Sequence, residues 1–332
     1  MPQPDKHGGE LDRMRAAYPA APPPWVDLST GINPWPYPAT DVSPEAHAQL
    51  PTARAYKACV EAFAGSIGAP AGSVLLSPGS ELLIRLLPTV LGLKRVAILD
   101  PTYGDHAEVW HRAGCQTIET MTPLEYANDV DAVVVCNPNN PDGKRFERDA
   151  LFAAHATLQT RGGYLIIDEA YADLSPDLSL AASGGRAGLI VFRSFGKFYG
   201  LAGLRLGALL APETVRAQLS DQLGVWPISS AALEIGRRAY ADEAWQSETR
   251  IALQRARKAL DQLLRQHDLD ISGGTDLFRF VHIEHASNVW DHLARSGIYV
   301  RKFSNLPHHL RIGLPKDPTE TERLSAALSL LA

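Results

Sequence analysis

A single lysine among small residues is the strongest chemical signal in the sequence. Lys197 lies in the segment RSFGKFYGLAGLRLG at 193–207, directly after an apolar run at 189–192 that predicts a buried parallel strand. A lysine at the mouth of a sheet is suited to a Schiff base with an aldehyde cofactor. Ser194 and Arg205 would bind the phosphate of that cofactor. The alternative is a glycine-rich turn that carries an incidental lysine.

A second phosphate contact is predicted at the turn SPGSE, residues 77–81. The turn follows a short strand predicted at 74–76 and opens a predicted helix. The N–H groups at the start of a helix lack partners within the helix and attract a phosphate. We therefore predict that Gly79, Ser80 and Glu81 bind the cofactor, although such a turn often serves only as a helix N-cap.

Two loops beyond strand ends could hold the flat ring of the cofactor. Tyr103 follows a strand predicted at 95–99, where an aromatic side chain is well placed to stack on a heteroaromatic ring, although it could instead pack on the core. Asn140 follows an apolar strand at 132–136, in the loop NPNNPDG. Two prolines and a glycine would fix this loop, so that Asn140 binds the phenolate oxygen of the cofactor and also contacts the substrate.

An acid follows the next predicted strand, 164–167. Asp168 beneath a pyridine ring would keep the ring nitrogen protonated, which makes the ring an electron sink. Tyr171, three residues later, would donate a hydrogen bond to the same phenolate oxygen as Asn140. The alternative for Asp168 is a helix cap. The acid and the tyrosine lie between the asparagine loop and the lysine, an order that the resemblance described below implies for a cofactor site.

The elements that must position these residues follow from the apolar pattern. Alternating strands and helices from residue 74 to residue 210 predict a largely parallel sheet, with chemistry at the carboxyl ends of its strands. One amphipathic helical stretch is predicted at 231–266, as a bridge between domains. We predict an N-terminal arm at 1–39 that packs with the small domain, a large cofactor-binding domain at 40–215 and a small domain at 216–332.

This order of motifs resembles the fold-type I pyridoxal-phosphate enzymes of the aminotransferase class I/II group. The resemblance implies an α/β fold whose large domain holds a mostly parallel seven-stranded sheet flanked by helices, plus a smaller α+β domain. It implies pyridoxal 5′-phosphate as the cofactor and catalytic roles for Lys197, Asp168 and Tyr103. It also implies a homodimer with a composite active site.

The substrate contacts are predicted on the arm and on the small domain. The arm carries DLSTGINP, and the resemblance implies that Gly31 and Asn33 lie near the substrate carboxylate. Arg311, on a predicted strand, has a geometry suited to a bidentate clamp on that carboxylate, although it could be a surface arginine. His7 and Lys6 are assigned by the narrower resemblance described next, which implies that they lie near a substrate phosphate.

Four segments narrow the resemblance within this group. They are HGG at 7–9, DLSTGINP at 27–34, NPNNPDG at 137–143 and GGT at 273–275. Together they are similar to the threonine-phosphate decarboxylases of cobalamin biosynthesis. The resemblance implies a lyase that converts L-threonine O-3-phosphate to (R)-1-aminopropan-2-ol O-2-phosphate and CO₂.

The sequence departs from the pattern of this family in three places. Asp142 replaces a threonine that most relatives carry, and Gly196 stands where a serine often precedes the lysine. The segment LPT at 50–52 replaces one that starts with tyrosine in many relatives. The tyrosine that reaches the cofactor phosphate of the partner subunit is therefore either Tyr56 or absent.

Two other functions stay open. An aminotransferase of histidinol-phosphate type would share the lysine, asparagine, aspartate and arginine elements and would act on a phosphorylated amino acid or amine. It would require a keto-acid acceptor, whereas a decarboxylase would release CO₂ without one. A non-catalytic protein that uses the fold as a ligand sensor is disfavoured, because every catalytic group is present.

Composition argues against several classes of protein. The 332 residues carry a formal net charge of −5 with both signs interspersed, which indicates neither a nucleic-acid groove nor a polybasic membrane anchor. Three cysteines without metal-ligand spacing predict no metal site and no disulfide framework. We therefore expect a cytoplasmic enzyme without a signal segment or a membrane span.

Overall fold

The computed structural model describes residues 7–39 and 41–331 of the chain. Its strands are β1 Val26–Leu28, β2 Val74–Ser77, β3 Arg95–Leu99, β4 Gln116–Thr120, β5 Ala132–Cys136, β6 Tyr164–Asp168, β7 Leu189–Ser194, β8 Gly207–Leu210, β9 Asp270–Thr275, β10 Phe278–His282, β11 Ile298–Lys302 and β12 His309–Gly313. Its α-helices are α1 Leu11–Ala17, α2 Pro44–Ala48, α3 Ala53–Ser66, α4 Ser80–Leu91, α5 Asp105–Arg112, α6 Arg148–Gln159, α7 Phe195–Phe198, α8 Glu213–Leu223, α9 Ser230–Ala241, α10 Glu243–Gln266, α11 Ala286–Arg295 and α12 Pro318–Ser329.

These elements form two compact units. The small unit contains Met1–Trp35, Pro141–Gly143 and Glu248–Ala332, and the large unit contains Pro36–Asn140 and Lys144–Ser247. The division falls later in the chain than the predicted boundary at residue 215, because α9 packs along α3 in the large unit.

The large unit is built on a seven-stranded sheet in the order β2-β8-β7-β6-β5-β3-β4. β8 runs antiparallel to both of its neighbours, and the other neighbouring pairs are parallel. β5, β6 and β7 are apolar runs that are buried almost throughout, as expected where helices cover both faces of a parallel sheet. The mostly parallel seven-stranded sheet of the prediction is confirmed.

Two features of the structure differ from the expected elements. β4 has the sequence QTIET and is partly exposed, because it forms the edge of the sheet, so it lacks the apolar run that marks the central strands. The helical stretch expected at 231–266 is two helices, α9 and α10. Asp242 separates them because its side chain accepts a hydrogen bond from Trp245 N at 3.0 Å, which makes it the N-cap of α10.

The small unit is built on a five-stranded sheet in the order β1-β11-β12-β10-β9. β1 pairs in parallel with β11, and the remaining pairs are antiparallel. Helix α11 packs on this sheet and contacts α12. The smaller α+β unit of the prediction is therefore present. Within the described ranges, no helix is both long enough and apolar enough to cross a membrane.

Candidate active site

The start of α4, at Gly79 and Ser80, and the guanidinium of Arg205 form a candidate phosphate site, which we call the cradle. Gly79 is the N-cap of α4 at φ 79° and ψ 155°, and as a glycine it supplies no side-chain cap to the first N–H groups of the helix. A Cβ added to Gly79 would lie 2.5 Å from Nη2 of Arg205, so the guanidinium rests directly on this glycine. A Cβ on Gly207 would overlap the Ser80 nitrogen. The two glycines therefore let the Arg205 guanidinium and the β8 backbone approach the start of α4 closely. A guanidinium beside the N–H groups of a helix N-terminus is suited to bind a phosphate.

Strand pairing explains why the cradle residues meet. Gly207, the first residue of β8, is in register with Ser77 on one side and with Ser194 on the other. The serine hydroxyl of Ser77 donates to the Gly79 carbonyl at 2.8 Å and shapes the turn before α4. Ser194 is thus in register with Gly207, next to the cradle, as the prediction that it binds the same phosphate requires.

A buried carboxylate ends β6 and is held at both oxygens. Asp168 Oδ1 accepts a hydrogen bond from Ala170 N at 3.0 Å, and Oδ2 lies 3.0 Å from Nε2 of His106. The side chains of His106 and Asp168 are only 2% and 5% exposed. His106 was not expected from the sequence. The only sequence feature that could indicate His106 as a site residue is its spacing, three residues after Tyr103 at the beginning of a helix. The apolar pattern does not indicate which strand that helix faces.

Tyr103 is the last member of a row of paired side chains that begins at Glu81, in the first turn of α4. Its hydroxyl donates to Asp105 Oδ2 at 3.1 Å, and the same carboxylate pairs with Arg85 at 2.9 Å. Arg85 also pairs with Glu81 at 2.9 Å. Burial, and then the charge of Asp105, raise the pKa of Tyr103 far above its ordinary value, so the phenol stays protonated. The predicted contact of Glu81 with the cofactor stays a prediction. In the structure the Glu81 carboxylate pairs with Arg85.

The lysine lies on the short helix α7, one turn after β7. Its Nζ is 5.7 Å from the centre of the Tyr171 ring, so the structure brings together the residues predicted at the ends of β6 and β7. A Cβ on Gly196 would lie 2.9 Å from Cα of Ala202. This close approach explains why the chain has glycine where a serine was expected.

The asparagine loop after β5 is fixed by side chains as well as by prolines. Asn139 Nδ2 donates to the Pro101 carbonyl at 2.8 Å, and Asn139 Oδ1 accepts from the Thr102 hydroxyl at 2.7 Å. Asn137 Oδ1 accepts from Phe146 N at 3.0 Å. These bonds tie the loop to the end of β3 and hold the backbone beside Asn140, whose contact with the cofactor stays a prediction.

Tyr56 lies on α3 and contacts a strand of its own chain. Its hydroxyl accepts a hydrogen bond from Leu76 N at 2.9 Å. Burial raises the pKa of the Tyr56 phenol. The predicted contact of Tyr56 with the cofactor of a partner subunit stays a prediction.

In the small unit, two arginines lie side by side. Arg311 on β12 is in register with Arg301 on β11, and both residues are buried. Residues paired directly across two strands point to the same face, so both arginines lie on one face of this sheet. Arg311 Nη2 donates to the Ser29 carbonyl at 2.7 Å, and its guanidinium carbon is 5.0 Å from the centre of the Phe278 ring. Arg301 was not expected as a site residue, because only strand register places it beside Arg311.

The arm residues of the prediction also lie in the small unit. Gly31 and Asn33 are buried, and Asn33 Oδ1 accepts from Trp35 N at 2.9 Å. The hydroxyl of Tyr299 donates to the His7 carbonyl at 3.5 Å. Lys6 lies outside the described residues. No group of three or more histidine, cysteine or acidic side chains within 7–39 and 41–331 is arranged to hold a metal ion.

Known proteins are similar in sequence to this chain over most of its length. The family model described as "Aminotransferase class I and II" matches residues 43–328. The chain is 39% identical over 325 residues to a threonine-phosphate decarboxylase of Pseudomonas aeruginosa, with 97% of each chain covered. It is 38% identical over 331 residues to a threonine-phosphate decarboxylase of a Sinorhizobium species, with 99% of each covered.

A solved structure supports the fold. The histidinol-phosphate aminotransferase of Sinorhizobium meliloti, solved in complex with pyridoxal-5′-phosphate, superposes with a TM-score of 0.77 at 19% identity, over 97% of this chain and 95% of the other. At that identity the likeness concerns the fold alone.

Proposed function

Because the chain belongs to the aminotransferase class I and II family, we propose that it is a pyridoxal-phosphate-dependent lyase that decarboxylates L-threonine O-3-phosphate. The product would be (R)-1-aminopropan-2-ol O-2-phosphate, which cobalamin biosynthesis uses. The observation that carries this proposal is the likeness to two threonine-phosphate decarboxylases over 97% and 99% of the chain.

The large unit has the residues to hold the cofactor. Gly79, Ser80 and the first turn of α4 would bind the cofactor phosphate together with Arg205 and Ser194. Bound pyridoxal phosphate supplies an electron sink for the electron pair left when CO₂ departs. Lys197 would hold the cofactor covalently and return a proton to the substrate carbon.

The ring of the cofactor would be oriented by the neighbours of Lys197. Asp168 would hold a proton at the ring nitrogen, and His106 would keep the Asp168 carboxylate in place for that contact. Tyr103, fixed by Asp105, would stack on the ring. Asn140 and Tyr171 would donate hydrogen bonds to the phenolate oxygen.

The small unit has the residues to bind a doubly anionic substrate. L-Threonine O-3-phosphate carries a carboxylate and a phosphate, and Arg311 and Arg301, which are paired in register on neighbouring strands, supply two matching charges. We assign the carboxylate to Arg311, with Gly31 and Asn33 near it, and the phosphate to Arg301, with His7 near it. Buried guanidinium groups suit such pairing because Arg stays charged and presents several donors.

We also propose that the enzyme works as a homodimer in the cytoplasm. The large unit exposes Val225 at 82% and Trp226 at 57%, neighbouring apolar side chains that a second subunit would cover. Tyr56 would then reach the cofactor phosphate of the partner. All three cysteines are free and buried, which agrees with a reducing compartment. Trp226→Glu should shift the species seen by mass photometry to the monomer; a monomeric parent protein would refute the dimer.

The experiment that tests the proposed reaction compares two acceptor conditions. The purified protein is incubated with pyridoxal phosphate and L-threonine O-3-phosphate, with and without 2-oxoglutarate, and CO₂ and glutamate are assayed together. We expect CO₂ at the same rate in both conditions. Glutamate formation without CO₂ would identify an aminotransferase of histidinol-phosphate type and overturn the proposal. Lys197→Ala is the control and should give neither product.

A further inference from the structure

The arginine assigned to the substrate carboxylate is anchored on a backbone carbonyl of the arm. Arg311 Nη2 donates to the Ser29 carbonyl at 2.7 Å, and one face of the guanidinium lies against Phe278. The direction of the guanidinium therefore depends on where the Ser29 carbonyl lies. A shift of about 1 Å in a group that orients a substrate can reduce the rate by about 100-fold.

One carboxylate holds Ser29 in that position. Asp27 Oδ1 accepts two hydrogen bonds from this residue, from the backbone N at 2.9 Å and from the hydroxyl at 2.6 Å. Asp27 itself is fixed in β1, where it is in register with Tyr299 of β11. Burial raises the pKa of Asp27, while the hydrogen bonds from Ser29 and the charge of Arg311 oppose that rise; Glu320 is the other charge that acts on it.

The opening segment of the chain closes over the same anchor. Gly9 N donates to the Ser29 hydroxyl at 2.8 Å. Gly8 packs so closely that an added Cβ would lie 2.5 Å from the Ser29 carbonyl oxygen. On the other side, a Cβ on Gly313 would lie 2.8 Å from the Thr30 carbonyl. The backbone around Ser29 is thus packed from both sides, with glycines at the points of contact.

We infer that Asp27 and Ser29 are positioning residues that aim Arg311 at the substrate carboxylate, with Gly8 and Gly9 as the cover that keeps Ser29 in place. The inference rests on the proposed function, because it needs a substrate carboxylate on Arg311. It assigns a role to the aspartate and the serine of DLSTGINP, and to the glycines of HGG.

The product gives a test that separates aiming from general damage. (R)-1-Aminopropan-2-ol O-2-phosphate keeps the phosphate and the amine of the substrate but lacks the carboxylate. If Arg311 is misdirected, substrate binding should therefore weaken, and product binding should not change. The experiment measures, on the holoenzyme, kcat and KM for L-threonine O-3-phosphate, Ki for the product and Kd for pyridoxal phosphate.

Four variants and one control are compared with the parent enzyme. Asp27→Ala removes both bonds to Ser29 and should raise KM by about tenfold, with product Ki and cofactor Kd unchanged. Asp27→Asn keeps an acceptor oxygen and should raise KM by only about two- to threefold. Ser29→Ala should fall between them, and Gly8→Ala should raise KM because its Cβ displaces the carbonyl. The control Glu10→Ala, on the exposed side of the same segment, should match the parent enzyme.

The outcomes separate this inference from the proposed function. Arg311→Ala is measured in parallel: if KM for the substrate does not rise, the role proposed for Arg311 fails first. If KM rises in Arg311→Ala but stays unchanged in Asp27→Ala, the positioning role is refuted. An equal loss of substrate and product binding in Asp27→Ala would also refute it. Should Asp27→Ala fail to fold, the same criteria apply to Ser29→Ala.

Discussion

Gly79→Ala should weaken cofactor binding because the new methyl group would occupy the space of the Arg205 guanidinium. The ideal Cβ position is 2.5 Å from Nη2 and 3.1 Å from Cζ of Arg205, so the guanidinium must move. The backbone at this residue, φ 79° and ψ 155°, also lies in a region that is open essentially only to glycine. The substitution therefore acts in two ways that can be measured separately.

The magnitude of each effect follows from its cause. Backbone strain of this kind costs about 1–3 kcal/mol and lowers the free energy of unfolding. Loss of a charge-assisted hydrogen bond from Arg205 to the phosphate costs about 1.5–3 kcal/mol of binding free energy. The second effect corresponds to a rise of about 10- to 150-fold in the Kd of pyridoxal phosphate.

The assay is a cofactor titration followed by absorbance, beside urea unfolding of the apoprotein. Gly92→Ala is the matched control, because Gly92 also has a positive φ, 58°, at the other end of α4, but has no atom within 4 Å of its Cβ position. It should lower stability without changing the Kd. In an Arg205→Ala background, Gly79→Ala should add little to the Kd, since the displaced group is already gone. A folded Gly79→Ala protein with the parent Kd would refute the cradle.

Three further predictions concern buried groups. His106→Leu should lower kcat by about tenfold with little change in KM, because Asp168 loses the partner at its Oδ2. His106→Gln keeps a hydrogen-bond donor and should restore part of kcat. Equal kcat in both variants and in the parent enzyme would contradict this prediction. Arg193→Met should lower the free energy of unfolding by about 3–5 kcal/mol in urea titrations, since it leaves two carboxylates buried beside it without their cation; a loss below 1 kcal/mol would contradict it. Burial raises the pKa of the Cys59 thiol to about 12, so this thiol should stay protonated and unreactive toward a disulfide reagent at pH 8 until the protein is unfolded.

Much of the cofactor site could be predicted from the sequence, because its residues follow recognisable strands. The carboxyl ends of neighbouring parallel strands lie at one edge of a sheet, so the sequence predicts that Asp168 and Lys197 lie near each other. The structure brings Lys197 close to the Tyr171 ring. The sequence predicts Gly79 and Arg205 at one phosphate, and the structure places the two residues in contact, while the phosphate itself stays a prediction.

The features that were missed depend on contacts between distant parts of the chain. His106 meets Asp168 across 62 residues, and nothing in the local pattern indicates which strand that face of α5 meets. Arg301 is beside Arg311 only through the antiparallel register of β11 and β12. The edge strand β4 lacks an apolar run, and the helix break at Asp242 depends on one capping bond. Local periodicity carries no information about such pairings.

The most direct test of the proposed reaction follows the carboxyl carbon of the substrate. L-Threonine O-3-phosphate labelled with ¹³C at the carboxyl carbon is incubated with the holoenzyme in the absence of any 2-oxo acid, and ¹³C and ³¹P spectra are recorded together. We predict that the label leaves as CO₂ and bicarbonate, in step with the appearance of one new phosphate ester, (R)-1-aminopropan-2-ol O-2-phosphate. Retention of the label in an organic acid, with turnover only after 2-oxoglutarate is added, would contradict the account.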